Sequence, residues 1–391
     1  MILAASSCLL LAVFACAAIP LLLYLLNLQR YRPPSFGPPS LERVAVLIPL
    51  CNNEHNLRAC VESILRSEEV NVVIALCDTG STDGTLPLAD KLSRNDRRID
   101  LLHTGPIQTG WNPLQQARWK LARAAANEPL LLFLDADVRL HPWAIARAVT
   151  SLRKQELGLL SGFPRFASRS RLDRLVLPAI HFLLLGLMPL QRAQSPRNAI
   201  GSDKFLLCDR RAYFASGGHA ELPTATDNGF ALPALFRKHG QTSGLVDLSR
   251  LVRVRPLPGR ERESFAQQQA AQLTTASRVL PWTLWLTLGQ ILPALGSLAV
   301  LLAFPLLKTA AFANDGTDLG LYLLCLLLLG LALLCSYLPR FIAVRRFREP
   351  LGSALLHPLG IALFLALGWY ALLSSMLRNP FEIRVRTSAP E

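Results

Sequence analysis

Four segments of this 391-residue chain contain no charged side chain: Met1–Gln29, Val279–Leu307, Leu319–Pro339 and Pro350–Leu377. A helix of roughly 20 apolar residues crosses a bilayer core, so the pattern predicts one amino-terminal span and about three spans toward the carboxyl end. The first segment lacks a basic leading end and is longer than the apolar run of a signal peptide, which predicts a retained anchor. Arg30, Arg32 and Arg43 follow it and put the next residues on the cytoplasmic side by the positive-inside rule. The loop "PRFIAVRRFREP", with Arg340, Arg345, Arg346 and Arg348, reads as cytoplasmic too, and the weakly charged 308–318 as external. Arg378, Arg384 and Arg386 in the tail conflict with strict alternation, and the side of that tail stays open.

A net charge of +14 could point to nucleic acid, but no zinc-finger spacing or basic-aromatic recognition motif accompanies it. Attraction of scattered arginines to anionic lipid accounts for the excess, with the membrane as partner and no nucleic acid. Cys8, Cys16, Cys325 and Cys335 fall in apolar spans, while Cys51, Cys60, Cys77 and Cys208 lack metal-type spacing. Both groups read as packed thiols.

The Pro-rich stretch within 30–43 predicts a stiff linker. From 44 to 255 the pattern changes to short apolar runs alternating with amphipathic ones. "VAVLIPL", "NVVIALCD" and "LLLFLDADV" read as strands, with "NLRACVESILRS" and "TLPLADKLSR" as helices. Alternation of this kind predicts an α/β domain on a parallel sheet, with ligands gathered at the carboxyl ends of its strands. An amphipathic connector at 256–278 joins it to the apolar region 279–377, and 378–391 form the tail. The run near 176–190, flanked by Arg174 and Arg192, is too short to span comfortably and predicts a helix on the membrane surface carrying His181.

Asp78 ends one expected strand, and Asp135 and Asp137 end another, so three carboxylates are expected on the ligand edge. Two acids one residue apart repel unless a cation lies between them. An Asp-Ala-Asp turn suits a hard ion such as Mg²⁺, which binds through one or two carboxylates plus substrate phosphates. The alternative for these acids is helix capping in a solvated turn.

In their order along the chain, "VAVLIPLCNNEHNL", "CDTGSTDGT", "LFLDADV" and "GGHAELPTATDNGFALPALFRKHG" resemble the motifs of family 2 glycosyltransferases with a GT-A (Rossmann-like) fold. With "GLLSGFPR", "PAIHFLLLGLMPL" and "HPLGIALFLALGWYALL", the chain looks similar to a bacterial membrane branch near ceramide glucosyltransferase and the hopanoid-associated glycosyltransferases. The resemblance implies an inverting transfer of one sugar from a nucleotide-sugar, commonly a UDP-sugar, to a lipid acceptor. It also implies a multi-pass protein of the inner membrane with a cytoplasmic catalytic domain.

By the same resemblance Asp135 and Asp137 hold Mg²⁺ or Mn²⁺, with Asp135 also a ribose contact, and Asp227 is the catalytic base, ionised at neutral pH. Asp78 contacts base or ribose, and Asp83 caps the helix after its turn. Arg165 and Lys204 are candidate phosphate or sugar contacts, or solvated surface. For Asp227 the alternative is a plain helix cap.

Thr79 and Thr226 stand where the family often has acids, and no Gln-X-X-Arg-Trp motif follows. That absence argues against a processive polysaccharide synthase. Transfer to polyprenyl phosphate, or a degenerate scaffold of the same fold, remain the alternatives.

Overall fold

The computed structural model describes residues 2–167, 171–188, 190, 195–196, 199–255 and 319–366. The chain divides into two compact units, one of Leu28–Ala167 with Pro189–Arg260, the other of Met1–Asn27, Ser168–Met188 and Glu261–Glu391.

Elements are named in chain order. Helix α1 covers Ile2–Arg30, and strand β1 runs Ser40–Leu50. After it come α2 (Glu54–Leu65), β2 (Val70–Asp78), α3 (Thr85–Asn95) and β3 (Ile99–His103). Helix α4 (Pro113–Ala124), β4 (Leu130–Phe133), β5 (Val138–Leu140), α5 (Ala144–Lys154), β6 (Leu159–Phe163) and β7 (Arg165–Phe166) continue the first unit. Helices α6 (Arg171–Val176) and α7 (Pro178–Leu187) belong to the second. The first resumes with β8 (Leu206–Asp209), α8 (Arg210–Ala215), α9 (Asn228–Lys238), β9 (Ser243–Asp247) and β10 (Val252–Val254). Helices α10 (Leu319–Phe347) and α11 (Leu351–Leu355) complete the described chain, apart from a short apolar helix at His357–Ala366.

In the first unit a seven-stranded sheet has the order β3-β2-β1-β4-β8-β6-β9. Strands β1 to β4 are mutually parallel, but β8 runs antiparallel to both β4 and β6, so the sheet is mixed where a parallel one was expected. All four residues of β4 are buried, and burying such side chains is worth about 1.5–3 kcal/mol each. Leu131 and Phe133 join Leu121 of α4, Tyr213 of α8 and Phe236 of α9 in one apolar core. A second, three-stranded sheet has the order β5-β10-β7.

Strand β1 starts at Ser40, four residues earlier than the domain boundary expected at 44, with a register shift between Ser40 and Arg43. Helix α4 opens with Asn112, whose side chain accepts from the Leu114 N–H at 2.9 Å, followed by Pro113, which needs no N–H partner there.

Among the described residues two helices are long and apolar enough to cross a membrane, Ser7–Arg30 and Leu323–Phe347. The segment expected as a cytoplasmic loop after 339 is instead helical through Phe347, Pro339 included. Helix α10 ends only where Arg348 takes a positive φ of 55° ahead of Pro350. Arg340 is therefore not a solvated loop residue. It is 1% exposed, donating to Pro178 O at 2.6 Å and Ser353 Oγ at 3.2 Å, with its Nη2 3.1 Å from Glu349 Oε2.

The helix expected near 176–190 is α7, at Pro178–Leu187. Helix α6 ends ahead of it at Val176, Pro178 starts α7, and His181 is buried against Glu349 Oε1 at 2.9 Å. Asn27 of α1 donates to Leu185 O and Met188 O at 2.8 and 2.7 Å, satisfying carbonyls at the end of α7. The span expected at 279–307, the connector at 256–278, the end of the last span and the tail lie outside the described residues.

Candidate active site

Strand direction builds the site. Phe133 at the end of β4 pairs with Leu206 at the start of β8, so chain leaving β4 and chain entering β8 meet at one sheet edge. Continuing that register by two residues on each strand sets Asp135 opposite Lys204. A parallel β8 would have put its first residues at the far edge.

The Asp-Ala-Asp turn is braced beneath. Leu134 N–H donates to Leu47 O at 3.1 Å, and Arg139 Nη1 donates to Ala136 O and Val138 O at 3.0 and 2.8 Å. The Arg255 N–H donates to Asp137 O at 2.8 Å. With its carbonyls engaged, the turn holds both carboxylates on the same side.

Facing them, Ser202 and Phe205 form an antiparallel bridge, with Asp203 and Lys204 as the central residues of a tight turn. Ser161 Oγ accepts from Ser202 N–H at 2.8 Å and donates to Phe205 O at 2.9 Å, fixing that turn to β6. Lys204 Nζ then reaches Asp135 Oδ2 at 2.7 Å and Asp137 Oδ2 at 2.9 Å. Its side chain is only 12% exposed, so the reading of Lys204 as solvated surface is overturned. Arg118, on the buried face of α4, donates from Nη2 to Asp135 Oδ1 at 3.0 Å.

These contacts split the two aspartates. Burial alone would raise Asp135, but the Lys204 ammonium and then the Arg118 guanidinium overcome it and hold that carboxyl below the ordinary range. Burial raises Asp137; Lys204 offsets this only in part, and the neighbouring Asp135 charge adds to it. Asp203 is also raised, mainly by burial.

Asp227 arrives on another segment. It caps α9, accepting from the Gly229 N–H at 2.8 Å, so the plain capping role is present. Two glycines let this segment cross the Ser202–Phe205 turn. A Cβ at Gly229 would stand 2.7 Å from Gly201 O and 3.1 Å from Asp203 N, and one at Gly201 would stand 2.9 Å from Gly229 O. The close crossing leaves Asp227 near Asp203. Burial, with the Asp203 charge adding to it, pushes Asp227 up to about 7. It is therefore about half ionised at neutral pH, where full ionisation was expected.

The other acids have local duties. Asp78 lies at the end of β2 on the ligand edge, but its carboxylate accepts from the Gly80 and Ser81 N–H groups at 3.0 Å and from the Ser81 hydroxyl. Among the described residues no group of three His, Cys, Asp or Glu side chains has metal-binding geometry, so any ion held by Asp135 and Asp137 draws its other ligands from elsewhere. Asp83 accepts from the Thr85 N–H at 3.0 Å and the Glu54 N–H at 3.3 Å, serving the first turns of both α3 and α2. Thr79 donates its hydroxyl to Leu50 O at 2.9 Å. Arg165 lies on β7 of the smaller sheet, in register with Arg253.

A divalent ion is compatible with the pair. The donors are hard oxygens, and Asp137 Oδ1 is buried without a hydrogen-bond partner among the described residues. Two carboxylates with remaining ligands from water and phosphate is the usual Mg²⁺ pattern. All eight cysteines are free thiols.

Residues 45–214 match the family described as Glycosyl transferase family 2. The match takes in 170 of the 391 residues, and the likeness to family 2 glycosyltransferases is that of this domain. The family 2 match takes in Asp135, Asp137 and Lys204 and stops short of Asp227. Among curated proteins, the glycosyltransferase GlyG of Streptococcus pneumoniae is 37% identical over 62 residues, 16% of this chain and 21% of GlyG. Chondroitin synthase of Pasteurella multocida is 34% identical over 115 residues, 29% of this chain and 11% of the synthase. The chain thus spans about a fifth or less of the length of these two relatives.

The matched domain is α/β and GT-A-like in fold. Among solved structures, the mannosyltransferase PcManGT of Pyrobaculum calidifontis, in complex with GDP-Man and Mn²⁺, aligns over 90% of this chain and 99% of its own, with a TM-score of 0.50 and 17% identity. At that identity the likeness is one of fold.

Sequence reasoning missed Arg118 and passed over Asp203. Arg118 shares a helix face with Leu121 and Ala122, three and four residues on, and a charge on an apolar stripe is the signal that marks it.

Proposed function

We propose that the protein transfers one sugar from a nucleotide-sugar, with UDP-sugars the first donors to test and GDP-sugars next, to a hydroxyl of a membrane lipid, with inversion. The observation that carries this is the crossing at Gly201 and Gly229, which sets a partly buried carboxyl titrating near 7, Asp227, beside Asp203 in the turn whose Lys204 reaches the aspartate pair. A general base works best with a value near the operating pH, so Asp227 suits removal of the acceptor hydroxyl's proton.

Asp137 and Asp135 are the residues that would hold Mg²⁺ or Mn²⁺, which when bound supplies charge stabilisation to the departing diphosphate. The Mn²⁺ of the similarly folded mannosyltransferase supports a divalent cation. Asp78, whose carboxylate already fixes the turn after β2, lines the nucleotide side by holding that turn's backbone, and Arg165 is a further candidate for donor phosphate. A lipid acceptor is supported by the apolar helices, where Leu22, Leu327 and Leu334 are 60%, 58% and 55% exposed, as side chains facing acyl chains are. The location that follows is the bacterial inner membrane, with the domain on the cytoplasmic side.

The test is transfer in membranes of a bacterial host expressing the full chain, with labelled UDP- and GDP-sugars and mass spectrometry of extracted lipid. A hexose- or N-acetylhexosamine-sized addition that vanishes with EDTA, with Asp137→Asn and with Asp227→Asn is expected. Lipid labelling that persists in both variants would refute the assignment.

A further inference from the structure

Lys204 occupies the position between the two carboxylates that a metal ion would need. We propose that Lys204 is an exchangeable internal cation: its ammonium holds the Asp135–Asp137 pair, yields that pair to a divalent ion, and moves to the donor's diphosphate. This rests on the metal-assisted sugar transfer argued above.

Geometry makes the two cations exclusive. Nζ lies 2.7 and 2.9 Å from Asp135 Oδ2 and Asp137 Oδ2, the inner oxygens of the pair. A divalent ion binds carboxylate oxygen at roughly 2.0–2.2 Å, so one shared by these oxygens would fall on the ammonium, and like charge adds to the steric conflict.

The exchange needs little backbone movement. Ser161 and the Ser202–Phe205 bridge fix the turn, so the move falls to the rotatable bonds of the lysine's four-carbon stem at its apex. Asp135 keeps a cationic partner throughout, because Arg118 binds its outer oxygen, Oδ1, at 3.0 Å from the opposite side. Asp137 has no such second partner, and its Oδ1 is already buried without a hydrogen bond among the described residues. Asp137 is therefore the oxygen source with most to gain from an ion.

Once displaced, the ammonium stays tethered beside a pair now neutralised by metal. The strongest anion to reach there is the phosphate that completes the ion's ligand set, and a lysine is a compact point charge suited to it. One residue thus keeps repelling acids together before the donor arrives and grips the diphosphate afterwards.

The experiment uses the full chain in detergent. Free Mn²⁺ is followed by electron paramagnetic resonance, without nucleotide, for the wild type, Lys204→Met and Asp137→Asn. Lys204→Met should bind Mn²⁺ about tenfold more tightly, since its competitor is gone, and should bind UDP and GDP in the presence of Mn²⁺ at least tenfold more weakly. Unchanged or weaker Mn²⁺ binding, or unchanged nucleotide binding, overturns the exchange. Asp137→Asn separates the two levels: if it binds Mn²⁺ as the wild type does, the metal site itself is wrong.

A second measurement needs no variant. Acetylation of Lys204 by an N-hydroxysuccinimide ester, mapped by mass spectrometry, should be slow in the protein alone, several-fold faster with Mn²⁺, and slow again with Mn²⁺ plus nucleoside diphosphate. Reactivity that ignores Mn²⁺ overturns the proposal.

Discussion

Replacing Asp227 by asparagine should kill turnover while making the protein more stable, and the gain should depend on pH. Burial and Asp203 push the folded value up to about 7, whereas aspartate in an unfolded chain titrates near 3.9. The unfolded chain therefore releases this proton first. Its ionisation costs no stability below about pH 4, costs progressively more up to about pH 7, and is constant above that. A gap of about three pH units at ~1.36 kcal/mol each sets a ceiling of about 4 kcal/mol, reduced to about 1–2 kcal/mol because Asp227 is partly exposed to screening solvent.

Asparagine is isosteric and caps helices as well as aspartate, so the bond from the Gly229 N–H survives and the change isolates the charge. In thermal melts of the detergent-solubilised chain, Asp227→Asn should unfold about 2–6 °C above the wild type at pH 8, and nearly coincide with it at about pH 4.5. Wild-type turnover should rise about tenfold between pH 6 and pH 8 as the carboxyl deprotonates. A variant no more stable than wild type at pH 8, or a flat wild-type profile over that range, would refute the reasoning.

Gly229→Ala places a methyl 2.7 Å from Gly201 O, so the two segments must separate; a loss of about 1–3 kcal/mol in stability and at least tenfold in transfer is expected, read by melts and by lipid labelling. Arg118→Met leaves Asp135 with Lys204 alone, and should cost about 1–3 kcal/mol at pH 7, shrinking as pH falls through Asp135's depressed folded value, because that carboxyl then protonates and no longer needs the guanidinium. In the helical unit, Glu349→Gln strands the buried Arg340 charge and should lower the melting temperature, while the double change with Arg340→Met should restore most of it. A double variant as unstable as the single one would show that the pair contributes through packing.

How far the sequence could be read depends on what a local pattern can encode. The runs that became β1, β2 and β4 were visible because a buried strand is a continuous apolar stretch, and α2 and α3 because their apolar residues recur at helical spacing. Strand direction is not written in such a pattern, and β8, four residues long, offered none of its own. A parallel sheet with no strand read at 206–209 leaves the opposition of Asp135 and Lys204 invisible, although both residues stand out singly. Asp78 is the reverse case: its place at a strand end is legible in the sequence, whereas the Gly80 and Ser81 N–H groups and the Ser81 hydroxyl that its carboxylate accepts from depend on the folded turn. Arg340 misled because charge suggests water, whereas Glu349, nine residues on, folds back to meet it.

The reversed strand has one more implication, for assembly of the chain. Sliding β8 by one residue along β4 would carry Lys204 about 3.3 Å along the sheet and turn its side chain to the opposite face. Asp135 and Asp137 would then be left repelling each other with no ammonium between them. Correct alignment of these two short strands is thus rewarded at their rim as well as in their oily interior, and the same three side chains that await a substrate also penalise the chain for mispairing.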